Sequence, residues 1–119
     1  MPATNNAVNQ LLSVITNEPS TVDFSQVMAI INSEYSYSAS AFTNGDTHNE
    51  AGKNEGSCKL FSFAQLNKLS ETETLACFGD YYRKDVLEHP KGDDHANIRN
   101  FMVSGWQGIS FEQSALALK

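Results

Sequence analysis

The sequence predicts one helix-rich α+β domain with about five helices and a small antiparallel sheet. Three observations lead to this fold class. The length of 119 residues suits a single domain, which we take as 1–119. Five segments carry apolar residues at the spacing of a helix face. One further segment alternates apolar residues with serine, which is the period-two pattern of a β-strand.

Apolar stripes and boundary residues define the first two helices. Thr4 or Asn5 can cap the first helix and Pro19 stops it, and its stripe follows the 3.6-residue period through Val8, Leu11, Leu12 and Ile15. The second helix follows the capping pattern of residues 20–23, and its stripe consists of Phe24, Val27, Met28 and Ile31.

Two short segments predict the sheet. Residues 35–41 alternate tyrosine or alanine with serine, which indicates one strand with an apolar face and a serine face. Residues 109–111 alternate in the same way. We expect this last strand to pair with residues 35–41.

Three more helices fill the second half of the chain. The third is predicted over about 57–67, with Ser57 as its cap. A capping box opens the fourth, over 70–88, which only Gly79 interrupts. The fifth follows a cap at Asp93 or Asp94, and its apolar face consists of Ile98, Phe101 and Met102.

Two polar segments separate these elements, and we call them the asparagine segment (residues 43–57) and the histidine segment (residues 89–95). The asparagine segment holds three glycines and three asparagines, and it has almost nothing that can enter a core. Loops of this length in a small domain are usually functional or mobile. We expect the two segments to fold toward each other and to form one shared site.

Charge and composition exclude two classes of partner. The net charge is −6, and residues 1–52 contain no Lys or Arg. Binding to phosphate backbones or anionic lipids requires clustered Lys and Arg, and this sequence has no such cluster. We therefore expect no nucleic-acid partner. The longest apolar run, residues 27–31, is far shorter than the roughly 20 residues of a membrane span, so we expect no membrane insertion. No basic and apolar regions open the chain, so we expect no secretory signal peptide.

Six motifs, of which several are long enough to be specific, occupy residues 42–45, 49–52, 54–61, 74–83, 94–102 and 105–111. Together they resemble the HopJ type III effector family. The resemblance implies a protein of the bacterial cytoplasm that type III secretion delivers to a host cell. Its implied partner is a host protein or a small polar ligand, and it implies no catalytic activity and no cofactor.

The first 20 residues support two interpretations. Eight of them are Ser, Thr or Asn, which is the bias expected of a type III secretion signal. The same residues suit a cap followed by a surface helix. A separate alternative is that the chain is a housekeeping bacterial protein of unknown function.

An alternative function is that of a thiol-dependent enzyme of the acyl-transfer or hydrolase type. Cys58 lies in the predicted first turn of the third helix, where the positive end of the helix dipole favours a thiolate. His95 or His48 is the candidate base, and Asp94 or Asn97 is the residue that orients His95. The competing interpretation of Cys58 is a packed small side chain.

No metal site is predicted. Asp46, His48 and Glu50 alternate in the asparagine segment, but a calcium loop that starts at Asp46 would place Ala51 at its glycine position and Ser57 at its bidentate glutamate position. The zinc spacings H-x-x-x-H and C-x-x-C do not occur. A site shared by both segments stays open.

The leading predicted function is binding of a partner or a small polar ligand through both segments. The candidate ligand residues offer amide, carboxylate, imidazole, guanidinium and indole groups, and they are Asn44, Asp46, His48, Asn49, Asn54, Arg99, Asn100 and Trp106. Such groups suit a peptide, a sugar or a small carboxylate. The competing interpretation is that the asparagine side chains hold the long loop by hydrogen bonds to its backbone.

Overall fold

The structure, a computed structural model, describes residues 6–119. Its α-helices are α1 (Asn6–Asn17), α2 (Phe24–Glu34), α3 (Glu55–Leu66), α4 (Glu71–Ala76) and α5 (Ala96–Ser104). Its strands are β1 (Tyr35–Tyr37), β2 (Phe42–Asn44), β3 (Thr47–Asn49), β4 (Ile109–Phe111) and β5 (Leu116–Leu118). Shorter helical turns are the 3₁₀ turns Pro19–Thr21 and Gly105–Gly108 and the π-helix Tyr81–Val86. The helix-rich α+β class with a small antiparallel sheet is confirmed, whereas the predicted caps at Thr4 and Asn5 lie outside the described residues.

The prediction of one strand over residues 35–41 is wrong. β1 ends at Tyr37, the chain bends, and β2 begins at Phe42. The alternation fails at Ser40, which is turned inward (2% exposed) and accepts a hydrogen bond from the Gln113 amide at 3.2 Å. As a result β1 pairs antiparallel with β5, while β2 lies between β3 and β4. β4 therefore pairs with β2 and not with residues 35–41.

The asparagine segment begins as a hairpin and not as a loop. β3 was not predicted, because its residues are polar. It pairs with β2, with Asn49 opposite Phe42 and Thr47 opposite Asn44. Gly45 makes the turn with a φ of +60°, the left-handed region that glycine adopts without steric cost. The hairpin holds the first part of the segment beside the sheet.

The predicted fourth helix is wrong beyond its second turn. α4 ends at Ala76, and Gly79 has a φ of +63°, which is incompatible with continued α-helical winding. A Cβ atom at Gly79 would lie 2.9 Å from the Phe24 amide nitrogen and 3.0 Å from Asp23 Cα. Glycine therefore also allows the start of α2 to approach this turn, after which the chain continues as the π-helix.

Ser70 and Glu73 form the predicted capping box of α4. The Ser70 Oγ accepts from the Glu73 amide at 3.1 Å, and the Glu73 carboxylate accepts from the Ser70 amide at 2.9 Å. These hydrogen bonds lower the pKa of Glu73. Because the folded chain favours the carboxylate, this contribution to stability is present above the unfolded pKa and is lost as the pH falls through the folded pKa.

The core is built around Phe61 of α3, which is fully buried. Its ring lies 5.0 Å from Phe101 of α5, 5.5 Å from Phe78 and 6.1 Å from Phe42 of β2, measured between centroids. The Trp106 ring packs edge-on at 6.4 Å. Helices α3 and α5 and strand β2 thus share one core, which sets the position of the polar segments that follow or precede them.

Candidate functional site

A buried network of asparagines joins the β2–β3 hairpin to α5. The Asn97 Oδ1 accepts from Asn44 Nδ2 at 3.0 Å and from Asn49 Nδ2 at 3.2 Å, and Asn97 Nδ2 donates to Asn49 Oδ1 at 3.1 Å. Asn44 Nδ2 also donates to the Asn97 carbonyl at 2.7 Å. All three residues are at most 6% exposed. Buried amides cost free energy when unpaired, so this network fixes the hairpin against α5.

Two more asparagines extend this network. Asn54 Nδ2 donates to Asn49 Oδ1 at 2.6 Å, and Asn100 Nδ2 donates to the Asn44 carbonyl at 3.3 Å and to Thr47 Oγ1 at 2.5 Å. Most of the predicted amide ligands are therefore engaged in holding the asparagine segment in place. Asn54 differs because it is exposed and also lines a cavity.

Helices α3 and α5 begin in the same way. Each is preceded by a residue in the left-handed conformation, Asn54 and His95, both with a φ of +51°, and neither side chain caps its helix. The predicted caps Ser57, Asp93 and Asp94 are wrong for this reason.

The first turns of α3 and α5 line one cavity of about 390 Å³, which we call the cleft. The asparagine segment contributes hydroxyl and amide groups, the histidine segment contributes an imidazole, and aromatic and aliphatic side chains supply the rest; the lining residues are Phe24, Thr47, Asn54, Gly56, Ser57, Phe78, Tyr81, His95, Ala96, Asn97 and Ile98. A volume of this size lies in the range of small-molecule sites. The two polar segments therefore meet at one concave surface.

His95 reaches the cleft from the histidine segment. Its Nε2 lies 3.1 Å from an Asp85 carboxylate oxygen and 3.9 Å from Asp94, and its ring lies 5.3 Å from the Tyr81 ring. Asp85 of the π-helix is thus the closer carboxylate, and Asp94 pairs elsewhere. Sequence spacing did not reveal Asp85, because the π-helix was predicted as ordinary α-helix.

Arg99 organises the histidine segment and does not line the cleft. Its Nη1 donates to the His89 carbonyl at 3.0 Å, and its Nε and Nη2 donate to the carbonyl and carboxylate of Asp94 at 2.6 and 2.7 Å. The hydrogen bond with Arg99 lowers the pKa of Asp94. Arg99 thus holds the histidine segment together through these hydrogen bonds. Its guanidinium, a candidate ligand-binding group in the sequence, already has partners within the protein.

Within residues 6–119, no hydrogen bond joins the Cys58 thiol to an imidazole. The Cys58 thiol is 1% exposed and donates to the Ser40 carbonyl at 3.7 Å, beside Tyr37. Burial raises the pKa of the Cys58 thiol, and it also raises the pKa of the Tyr37 hydroxyl. A buried thiol with a raised pKa is a weak nucleophile, so this geometry matches the packed-side-chain interpretation of Cys58.

Seven of the eight predicted ligand residues lie outside the lining of the cleft, and only Asn54 belongs to it. Trp106 donates from Nε1 to the Leu69 carbonyl at 3.1 Å and packs against the core. Asp46 and His48 are exposed on the β2–β3 hairpin. Within residues 6–119, no group of three or more His, Cys, Asp and Glu side chains is arranged to hold a metal ion. No helix in the same range is long and apolar enough to cross a bilayer.

Two features of the cleft were missed at the sequence level. Asn97, the centre of the network, was considered only as a partner of His95, although an asparagine in the first helical turn often signals a specific hydrogen bond. Phe24 belongs to the predicted apolar stripe of the second helix and Tyr81 lies within the predicted fourth helix, so the sequence indicated helix packing and not a cavity wall for both.

Comparison with known proteins agrees with this architecture. A solved structure described as "Crystal structure of unknown function protein VPA0580" superposes with a TM-score of 0.92, at 52% sequence identity, over 93% of this chain and 92% of that one. No curated protein matches at a significant level. The family model described as HopJ type III effector protein matches residues 8–116. The chain belongs to the HopJ type III effector family.

Proposed function

We propose that this protein binds a small polar ligand in the cleft between the asparagine and histidine segments. The observation that carries the proposal is that one cavity of about 390 Å³ takes Thr47, Asn54 and Ser57 from the first segment and His95 from the second. Hydroxyl, amide and imidazole groups that converge on a concave surface are typical of ligand sites.

The cleft is held in shape before any ligand binds. The Asn97 network holds the hairpin side, and the hydrogen bonds of Arg99 hold the histidine side. A preformed site loses little conformational entropy on binding. Its apolar surfaces, Phe24, Phe78 and Ile98, would pack against the carbon skeleton of the ligand while the polar groups fix its orientation.

A steric block tests the proposal. The probes are amino acids, monosaccharides and small carboxylates, and binding is measured by heteronuclear NMR titration of the full chain. Ser57→Phe fills the cleft from the half-buried first turn of α3, and we expect it to weaken binding of any hit at least about tenfold. Ser110→Phe on β4, which is exposed and does not line the cleft, is the matched control. A panel without hits, or hits that tolerate Ser57→Phe, would overturn the proposal.

Family membership supports a second, cellular proposal, that the protein is made in the bacterial cytoplasm and delivered to a host cell by type III secretion. The test fuses the full chain to a reporter enzyme that needs a cofactor found only in host cytosol. We expect a host signal in the wild-type bacterium and its loss in a strain without the secretion apparatus. Equal signals in both strains, or none in either, would favour the housekeeping interpretation.

A further inference from the structure

A second cavity of about 380 Å³ adjoins the cleft. The two cavities share three aromatic residues, Phe24, Phe78 and Tyr81. The second one is otherwise lined by Asp23, Ser25, Asp80 and Asp85. The same three rings therefore form part of the surface of both cavities, and the remaining side chains of the second cavity are serine and aspartates.

The shared wall is a row of aromatic rings. The Phe24 centroid lies 5.3 Å from that of Tyr81, in an edge-on arrangement, and the Tyr81 centroid lies 5.3 Å from that of His95. Tyr81 keeps 45% of its surface exposed although it lies between two cavities. The faces of aromatic rings carry partial negative charge and attract organic cations.

Among Asp, Glu, Lys and Arg side chains, only acidic ones line the two cavities beside this row of rings. Three aspartates line the second cavity, and no lysine or arginine lines either cavity. Asp23 accepts hydrogen bonds from Ser25 at 2.8 and 3.0 Å, and these lower its pKa. That carboxylate is therefore ionised at neutral pH.

The cations nearest to the second cavity are already paired. Arg83 donates to the carbonyls of Pro19 and Val22 at 3.2 and 2.6 Å and lies 3.6 Å from Asp80. Lys84 lies 3.8 Å from Asp80 and is exposed, so this ion pair is weak in water. A bound cation would therefore compete with two ion pairs at Asp80 and with the His95 contact at Asp85.

We infer that the ligand is a small molecule with an organic cation, an alkylated ammonium or a guanidinium, that seats against Tyr81 and faces Asp85 and Asp23 while its polar remainder occupies the cleft. The inference rests on the proposed function, because it assigns a ligand class to the same site. It follows from the row of aromatic rings and from the aspartates that line the second cavity beside them.

Two matched ligand pairs test the charge: choline against its neutral isostere 3,3-dimethylbutan-1-ol, and ethylguanidinium against ethylurea. Affinities for the full chain are measured by NMR titration. We expect at least one cation to bind about tenfold more tightly than its neutral partner. Tyr81→Leu and Asp85→Asn should each weaken the cation severalfold and leave the neutral partner unchanged, while Asp93→Asn, at an exposed aspartate outside both cavities, should change neither.

The outcomes separate this inference from the proposed function. Equal affinity within both pairs, or cation binding that survives Tyr81→Leu and Asp85→Asn in folded variants, overturns the charge assignment. If uncharged polar probes then bind in the cleft and Ser57→Phe removes them, the proposed function stands alone. If neither charged nor neutral probes bind the cleft, both proposals fail.

Discussion

Asn97→Ala is expected to lower the free energy of unfolding by about 3 kcal/mol, because it removes the three buried side-chain hydrogen bonds that Asn97 makes with Asn44 and Asn49, each contributing about 1 kcal/mol. Alanine keeps the helical backbone of α5 and removes only the side-chain hydrogen bonds. The loss should be visible as a lower urea midpoint with an unchanged slope. The substitution should also accelerate amide hydrogen exchange more in the β2–β3 hairpin than in α3, because the network joins the hairpin to α5.

Asn9→Ala is the matched control for this substitution. Asn9 is exposed on α1, and alanine is a better helix former than asparagine. The free energy of unfolding of this variant should therefore equal or slightly exceed that of the unsubstituted chain. If Asn97→Ala costs no more than Asn9→Ala, the buried network does not hold the hairpin against α5, and the cleft is not preformed.

Gly79→Ala is expected to destabilise the fold by about 3 kcal/mol, the sum of a left-handed backbone penalty and an overpacking penalty. The φ of +63° is unfavourable for alanine, and the new Cβ would meet backbone atoms of Asp23 and Phe24 within 3.0 Å. Backbone atoms cannot rotate away as the end of a side chain can. The measurement is again chemical denaturation of the full chain.

Gly52→Ala separates the two contributions. Gly52 has a φ of +86°, but nothing lies within 4 Å of a Cβ placed there. The free energy of unfolding of this variant should therefore fall only by the penalty for a left-handed alanine backbone, about 1 kcal/mol. Equal losses at the two positions would show that the close approach of the Gly79 turn to α2 adds nothing to stability.

The helices were the most predictable part of the fold, since their apolar stripes are local. The stripe of α1 is buried at Val8, Leu11 and Ile15 as predicted, and the capping box at Ser70 is formed. Gly79 interrupted a good helical pattern, and the pattern alone could not show that the interruption is a left-handed turn. That conformation depends on the tertiary contact with the start of α2.

The strands were less predictable, because three-residue strands carry almost no periodic signal. β3 consists of polar residues that follow a glycine turn, and Ser40 breaks the alternation because the fold buries it. Pairing partners are set by contacts between residues far apart in sequence. Thus the alternation at residues 109–111 predicted β4, but it did not predict that β4 pairs with β2, and β5 was not predicted at all.

The site was predicted at the level of segments and not of side chains. The expectation that the asparagine and histidine segments meet agrees with the cleft. Within it, Asn54 and His95 line the cavity, while Arg99 and Trp106 are used for internal hydrogen bonds. Residue type shows which chemistry is available, but only the fold shows which groups are already paired.

The most direct test of the shared cleft is an NMR titration of the full chain with the tightest-binding probe of the ligand panel. If the cleft is shared, the signals of Thr47 and Ser57 in one segment and of His95 in the other shift together and fit a single dissociation constant. Shifts confined to one segment, or centred on Trp106, would contradict a shared site.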